Sequence, residues 1–439
     1  MANTSIYRNI ASTGNSDICT ISCWFKKDFT GVEKALFGGW RSSTDRFQIR
    51  FKDDDTIDVE FGYSGSWYSL ITNRKFRDPS SWMHLVLAID STQGTPANRE
   101  KLYINGVQET SFSTEVYMPQ NNDTLMTTSG DEVMVGSSNQ TSGSGTHQGF
   151  WKGCMSHVQF VDGLQLAPTE FGEFDATSGI WKIITTAYGT PGTNGFFLKM
   201  EDSTNMDLDS SSNSLTFTTE GTLTSTKDNP SNNFATFNPL LGGNETQTFT
   251  NSNTTVNFGA SGQWGYNAST QAVSSGKWYF ELKCEAVGGE TYVGIMDEDD
   301  INANQVSGGS GRDWVGKGTN SIGLGQGGYM QKNSANLQTG LATYTTGDII
   351  SMELNLVANT LQYYKNDVAV GTTAAVTAGK TYFFAVSGYS NTKWNSNFGN
   401  GYFGTTAITS AGTNASGNGT FEYDVPTGFT ALCTKGINS

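Results

Sequence analysis

Forty-one acidic side chains, five cysteines and three histidines are the groups from which proton transfer, metal binding or nucleophilic chemistry would most readily be built in this 439-residue chain. Their spacing argues against all three. His84 and His157 lie within apolar, strand-like runs and are expected to be half-buried structural residues, and His147 sits in a Gly/Ser-rich stretch. None pairs with a Ser or Cys and an acid in a pattern that would make a nucleophile. Cys19, Cys23, Cys154, Cys284 and Cys433 form a sparse, odd set without the paired Cys-x-x-Cys spacing of a zinc site, and are expected to be reduced core thiols. The acidic runs Asp53 to Asp55 and Asp297 to Asp300 read as solvated turns; calcium is the one cofactor they could bind, although neither matches an EF-hand. The Gly308 to Gly311 segment lacks the Lys and helix of a phosphate cradle and reads as a flexible loop. The chain is therefore expected not to be an enzyme.

What the sequence does offer is aromatic side chains beside polar ones. Pyranose rings present C–H faces that stack on Trp and Tyr, while Asn, Asp and Arg can bind their hydroxyls. Trp40, Arg41, Trp67 and Tyr68 fit that description in the first half, and Trp314, Tyr329, Tyr389, Asn391 and Trp394 in the second. The competing reading buries the same rings against a sheet or a neighbouring subunit.

Strands must position these residues. Phe47, Ile49 and Phe51 alternate with polar residues, as do Ile57, Val59 and Phe61 beyond the Asp53 to Asp55 turn, which predicts a hairpin. Leu102 to Ile104 leads into Asn105-Gly106, the dipeptide suited to a type I′ turn. No run of ten or more residues carries helical spacing with caps, so any helix is a short connector. Between Glu201 and Glu245 the apolar pattern weakens and Pro230 and Pro239 intervene, which predicts an irregular linker, packed against its neighbours or crossing as an extended segment, between domains over 1–200 and 246–439. Charged residues are 15% of the chain, against roughly 25% in an average protein, and the net charge is −15. That balance argues against nucleic acid and anionic membrane surfaces. No apolar run approaches the roughly 20 residues of a span, and the N-terminus does not read as a signal peptide, so membrane insertion is not expected.

The first half resembles the laminin G-like branch of the concanavalin A superfamily at Thr20-Ile-Ser-Cys-Trp-Phe25, Ser81-Trp-Met-His-Leu-Val86, Lys101-Leu-Tyr-Ile-Asn-Gly106 and Gly153-Cys-Met-Ser-His-Val-Gln-Phe160. The second half resembles a SPRY domain at Ser275-Gly-Lys-Trp-Tyr-Phe-Glu-Leu282, Tyr292-Val-Gly-Ile295, Leu361-Gln-Tyr-Tyr-Lys-Asn-Asp367, Tyr382-Phe-Phe-Ala-Val-Ser387 and Asn397-Phe-Gly399, with Asp367 where that family usually has Gly. Together these imply an all-β protein of two concanavalin A-like jelly-roll sandwiches in tandem, with the ligand surface of the second on loops at one end. The stretches Phe160 to Glu173, Tyr188 to Phe196 and Asn232 to Pro239 resemble virion proteins of marine tailed phages. That resemblance implies a fibre or appendage subunit on the virion surface, made in the host cytoplasm and homo-oligomeric, with other virion proteins and a host-surface glycan or receptor as partners. The alternative is a capsid decoration or tail scaffold protein making only protein contacts. A polysaccharide depolymerase is disfavoured, because the Glu-x-Asp-x-x-Glu strand of one large glycosidase group is absent.

Overall fold

The computed structural model describes residues 3–139, 146–241, 246–260, 262–306 and 314–438, so the Gly308 to Gly311 loop lies outside the described residues. The chain divides into two compact units, Met1–Ser225 and Thr226–Ser439.

Period-two burial builds the first unit. An eight-stranded sheet runs in the order Phe112–Glu115, Ser66–Lys75, Thr56–Tyr63, Arg46–Phe51, Lys34–Trp40, Glu132–Val135, Ser5–Asn9, Thr218–Glu220. A six-stranded sheet faces it, with Gly153–Asp162, Ile18–Lys27 and Met83–Asp90 at its centre. Phe37, Phe47, Ile49 and Phe61 from the first sheet meet Ile21, Phe25, Leu85, Leu87 and Phe160 from the second in one core, as two sheets each apolar on one face require. The expected hairpin pairs Phe47 with Phe61 and Ile49 with Val59. Asn105 and Gly106 take φ values of 50° and 78°, the conformation of a type I′ turn. Gly106 serves twice, because a Cβ there would run into the Trp181 ring that packs over the turn.

The second unit repeats the plan. A seven-stranded sheet centres on Lys277–Ala286 and Ile349–Asn355, and a six-stranded sheet runs Trp264–Ala268, Tyr382–Tyr389, Thr291–Asp297, Ile322–Gly325, Tyr329–Lys332, Ala335–Thr339. Phe280, Leu282 and Met352 pack against Val293, Ile295, Leu324 and Phe384 between them. The Lys365-Asn-Asp367 turn keeps positive φ at both Asn366 (48°) and Asp367 (68°), so Asp accepts the backbone geometry for which the resembled family uses Gly. Among the described residues the α-helices are the nine-residue Glu298–Val306 and the four-residue Thr434–Ile437, and no helix is long and apolar enough to cross a membrane.

Two sequence expectations are corrected here. The 201–245 segment is irregular, but its described residues are shared between the units rather than left as a linker: Thr218–Glu220 pairs with Ser5–Asn9, while Phe234, Ala235 and Phe237 are buried in the second unit. The Asp297 to Asp300 run is no solvated turn. Asp297 ends a strand, is fully buried and accepts the backbone N–H of Asp300 at 3.0 Å, capping the helix that follows.

Candidate ligand-binding surface

One end of the six-stranded sheet of the second unit gathers aromatic rings on the face turned away from the core. Trp264 opens its strand opposite Tyr389, the last residue of Tyr382–Tyr389. Two strands further on, Tyr292, Gly325 and Tyr329 lie directly opposite one another. Gly325 makes that row possible, since a Cβ there would sit 2.8 Å from the Tyr329 ring and 3.0 Å from that of Tyr292. Trp314 arrives from a loop and closes the group. Ring centroids are 5.7 Å apart for Trp264 and Tyr389, 5.5 Å for Trp264 and Trp314, and 5.7 Å for Tyr292 and Tyr329.

Those spacings decide what the cluster can hold. The rings touch one another, so no ligand fits between them as in an aromatic cage; what they offer is a continuous platform of ring faces and edges. Tyr292 is buried beneath it, Trp264, Trp314 and Tyr329 are half-buried, and Tyr389 is 38% exposed. Hydrogen bonds fix the rings: Trp314 Nε1 donates to Gln331 Oε1 at 2.7 Å, Tyr292 to the Tyr329 hydroxyl at 3.0 Å, and Tyr329 to Glu290 Oε1 at 2.9 Å. Burial pushes both phenols up, so each stays a neutral hydroxyl at pH 7. Asn391 stands exposed in the turn after Tyr389, and Lys317 lies 5.4 Å over Trp314. Three of the expected aromatics, Trp314, Tyr329 and Tyr389, thus come together with Asn391 beside them. Trp264, Tyr292 and Glu290 complete the surface without having been singled out from the sequence; Gly262-Gln-Trp-Gly265 had the same Gly-flanked aromatic character.

Trp394 is a correction. It is fully buried in the core, its indole N–H donating to Thr291 Oγ1 at 2.9 Å and its ring edge-on to Tyr344. It faces inward from the seven-stranded sheet and cannot meet a ligand.

The expected group in the first unit also separates. Arg41 spends its fork on Asp131 (2.7 Å from Nε) and Asp123 (2.7 Å from a terminal nitrogen). Tyr68 pairs with Phe61 on the inward side and packs against the core beside Tyr63. Trp40 and Trp67 alone remain on the outer face.

The acidic runs are spent on the chain itself. Asp55 turns inward to the buried Lys27 at 3.2 Å and to Arg77 at 3.2 Å. Asp300 accepts backbone N–H groups of Thr319, Asn320 and Ser321. Among the described residues no three His, Cys, Asp or Glu side chains converge as a metal site. A shallow depression of about 570 Å³ in the second unit, lined by Trp278, Val357, Phe429 and Ile437 among others, includes none of the candidate aromatics and no carboxylate.

No curated protein matches the chain. Among solved structures, the SPRY domain of human HERC1 is 19% identical, covering 36% of this chain and 96% of that one with a TM-score of 0.29. The TRIM65 PSpry domain is 15% identical over 37% of this chain and 89% of that one (TM-score 0.31), and a SAP-like pentraxin from Limulus polyphemus is 16% identical over 38% and 72% (TM-score 0.28). Two family models match parts of the chain: residues 3–168 match the laminin G-like model of the concanavalin A-like lectin/glucanases superfamily, and residues 277–401 match the SPRY domain model.

Proposed function

We propose that this protein is a non-enzymatic binding subunit of a phage virion fibre or appendage, whose second sandwich holds a host-surface carbohydrate on the platform of Trp264, Trp314 and Tyr389. The observation that carries the reading is the packing of Trp264 against both Trp314 and Tyr389, with Tyr389 exposed at the edge: an apolar surface of tilted ring faces and edges rimmed by Glu290, Gln331 and Asn391. Such a surface suits a sugar ring, with C–H faces below and hydroxyls at the rim. The virion setting draws on the resemblance of the Phe160 to Glu173 and Asn232 to Pro239 stretches to phage virion proteins. A single shallow site binds weakly, and many copies on one particle would supply avidity.

A decoration or scaffold role is the second reading. It draws on Leu337 and Val368, both exposed on edge strands of the second sandwich, where another protein could pair. Binding of labelled protein to intact host cells separates the two. Saturable binding that periodate oxidation of surface sugars abolishes, and that Trp264→Ala with Tyr389→Ala reduces at least tenfold, is the expected result. Binding that survives both treatments would remove the carbohydrate reading and favour protein contacts.

A further inference from the structure

On the first sandwich, Trp40, Arg46, Gly62 and Trp67 are successive cross-strand partners over four strands. Directly opposed residues share a face. The next pair along, Phe47 and Phe61, fills the core, so this row lies on the outer side of the sheet. Gly62 leaves the space that the Trp67 ring occupies, for a Cβ there would meet the indole at 2.5 Å. The Arg46 guanidinium stands 4.5 Å over that ring, and Trp67 is itself 43% exposed.

The acids around Arg46 make their hydrogen bonds elsewhere, and Glu60 acts on the guanidinium only through its charge. Asp45 accepts from the Ser42 and Thr44 hydroxyls and the Ser64 backbone N–H. Glu60 accepts from Gln48 and Arg50. Arg41, Arg50, Arg74 and Arg77 all form ion pairs; among the described residues Arg46 forms none, and its buried Nε has no hydrogen-bond partner. A guanidinium held by stacking, with its donors unspent and an indole on either side along the row, matches the chemistry of an oxyanion carried on a ring. The two terminal nitrogens of the fork, not the buried Nε, take the anion bidentately, and the indoles take the apolar face of the ring.

We propose that Trp40, Arg46 and Trp67 form a second subsite, selective for a sugar unit bearing a carboxylate or a sulfate ester. It rests on the reading of the chain as a polysaccharide binder but occupies a different domain from the platform, so the two fail separately. The net charge of −15 disfavours unspecific retention of polyanions, which makes such retention a clean report on one site.

The test uses the full chain against four immobilised polymers: polygalacturonate, its methyl ester, dextran sulfate and dextran. The expected result is retention on polygalacturonate, dextran sulfate or both, with neither neutral counterpart holding the protein comparably; the two charged arms tell carboxylate from sulfate. Arg46→Gln should weaken that retention at least tenfold, Arg46→Lys should fall between, and Trp67→Ala should also weaken it, each with an unchanged far-ultraviolet circular dichroism spectrum. Equal retention on charged and neutral polymers, no retention on either charged polymer, or wild-type retention by folded Arg46→Gln would each overturn the subsite. Loss of cell binding in the Trp264 and Tyr389 variant reports on the platform alone.

Discussion

At the scale of single residues, His84 shows how a group that looks reactive in a sequence becomes a structural one. Its ring stacks on Trp24 with centroids 4.6 Å apart; Trp181 Nε1 donates to Nδ1 at 3.0 Å, and Ser22 Oγ lies 2.8 Å from Nε2. An indole N–H can only donate, so Nδ1 is bare and the proton sits on Nε2, directed to the serine oxygen. Burial lowers the pKa from 6.5 to about 3. The folded form therefore stays neutral where the unfolded chain takes up a proton. This contribution to stability is complete above pH 6.5 and is lost as pH falls towards about 3, with a limiting slope of about 1.4 kcal/mol per pH unit. His157, whose pKa burial lowers to about 4, supplies a slope of the same sign, so urea denaturation of the first sandwich between pH 7 and 4 should show a shallower pH dependence in His84→Gln than in the wild type; a slope unchanged by the substitution would refute the assignment. His147 acts in the opposite sense. Glu132 first, and Glu220 with it, hold its pKa above the ordinary value, so its contribution is present at low pH and fades as pH rises through that raised value.

At the scale of elements, Gly325 controls the platform. Gly325→Val keeps a residue suited to strands but drives Tyr329 and Tyr292 apart, since both rings lie within about 3 Å of the added Cβ. Carbohydrate retention should fall several-fold, with stability lowered by about 1–3 kcal/mol as in other overpacked sites; titration against the glycan bound by the wild type, beside a denaturation curve, measures both. Retention equal to wild type would show that the Tyr292 and Tyr329 rings do not shape the site. Strands and hairpins such as Phe47 to Phe61 were legible because one face of each sheet is buried and side chains alternate with period two. The face a given aromatic takes was legible only where its neighbours were simple. Trp394 sits among Lys393, Asn395 and Asn397, a polar setting that reads as surface. Yet both asparagines are buried, because Asn395 binds Glu285 and Thr255 while Asn397 binds Glu281 and the Thr420 carbonyl. Buried polar pairs of this kind hide a core strand from any reading of hydrophobic pattern. Trp264 and Tyr292 gain their role from cross-strand register and from Gly325, which the linear order does not reveal.

At the scale of the whole molecule, the low apolar content after Glu201 conceals two pieces of structure that belong to different units. In the first, Phe217 packs edge-on against Phe196 at 4.9 Å, and Asp209 accepts the Phe197 backbone N–H at 2.9 Å. Strand Thr218–Glu220 covers the Ser5–Asn9 edge and brings Glu220 within 2.7 Å of His147 Nδ1. In the second, Phe234 and Phe237 are buried, and Asn232 accepts the Lys435 backbone N–H at 3.0 Å, tying the start of the unit to its end. Fragments cut between Ser225 and Thr226 should therefore each fold and melt in one cooperative transition. A fragment ending at residue 200 exposes Phe196 and an unpaired strand edge, and one starting at residue 246 forfeits Phe234 and Phe237. One buried Phe is worth about 1.5–3 kcal/mol, so each shortened fragment should be less stable than its longer counterpart by at least about 2 kcal/mol, and the one beginning at 246, which loses two such rings, by more. Denaturant titration of the four fragments tests this directly. Equal stability of the 1–200 and 1–225 fragments would mean that the Thr218–Glu220 strand is an appendage to the first sandwich and not part of its cooperative unit.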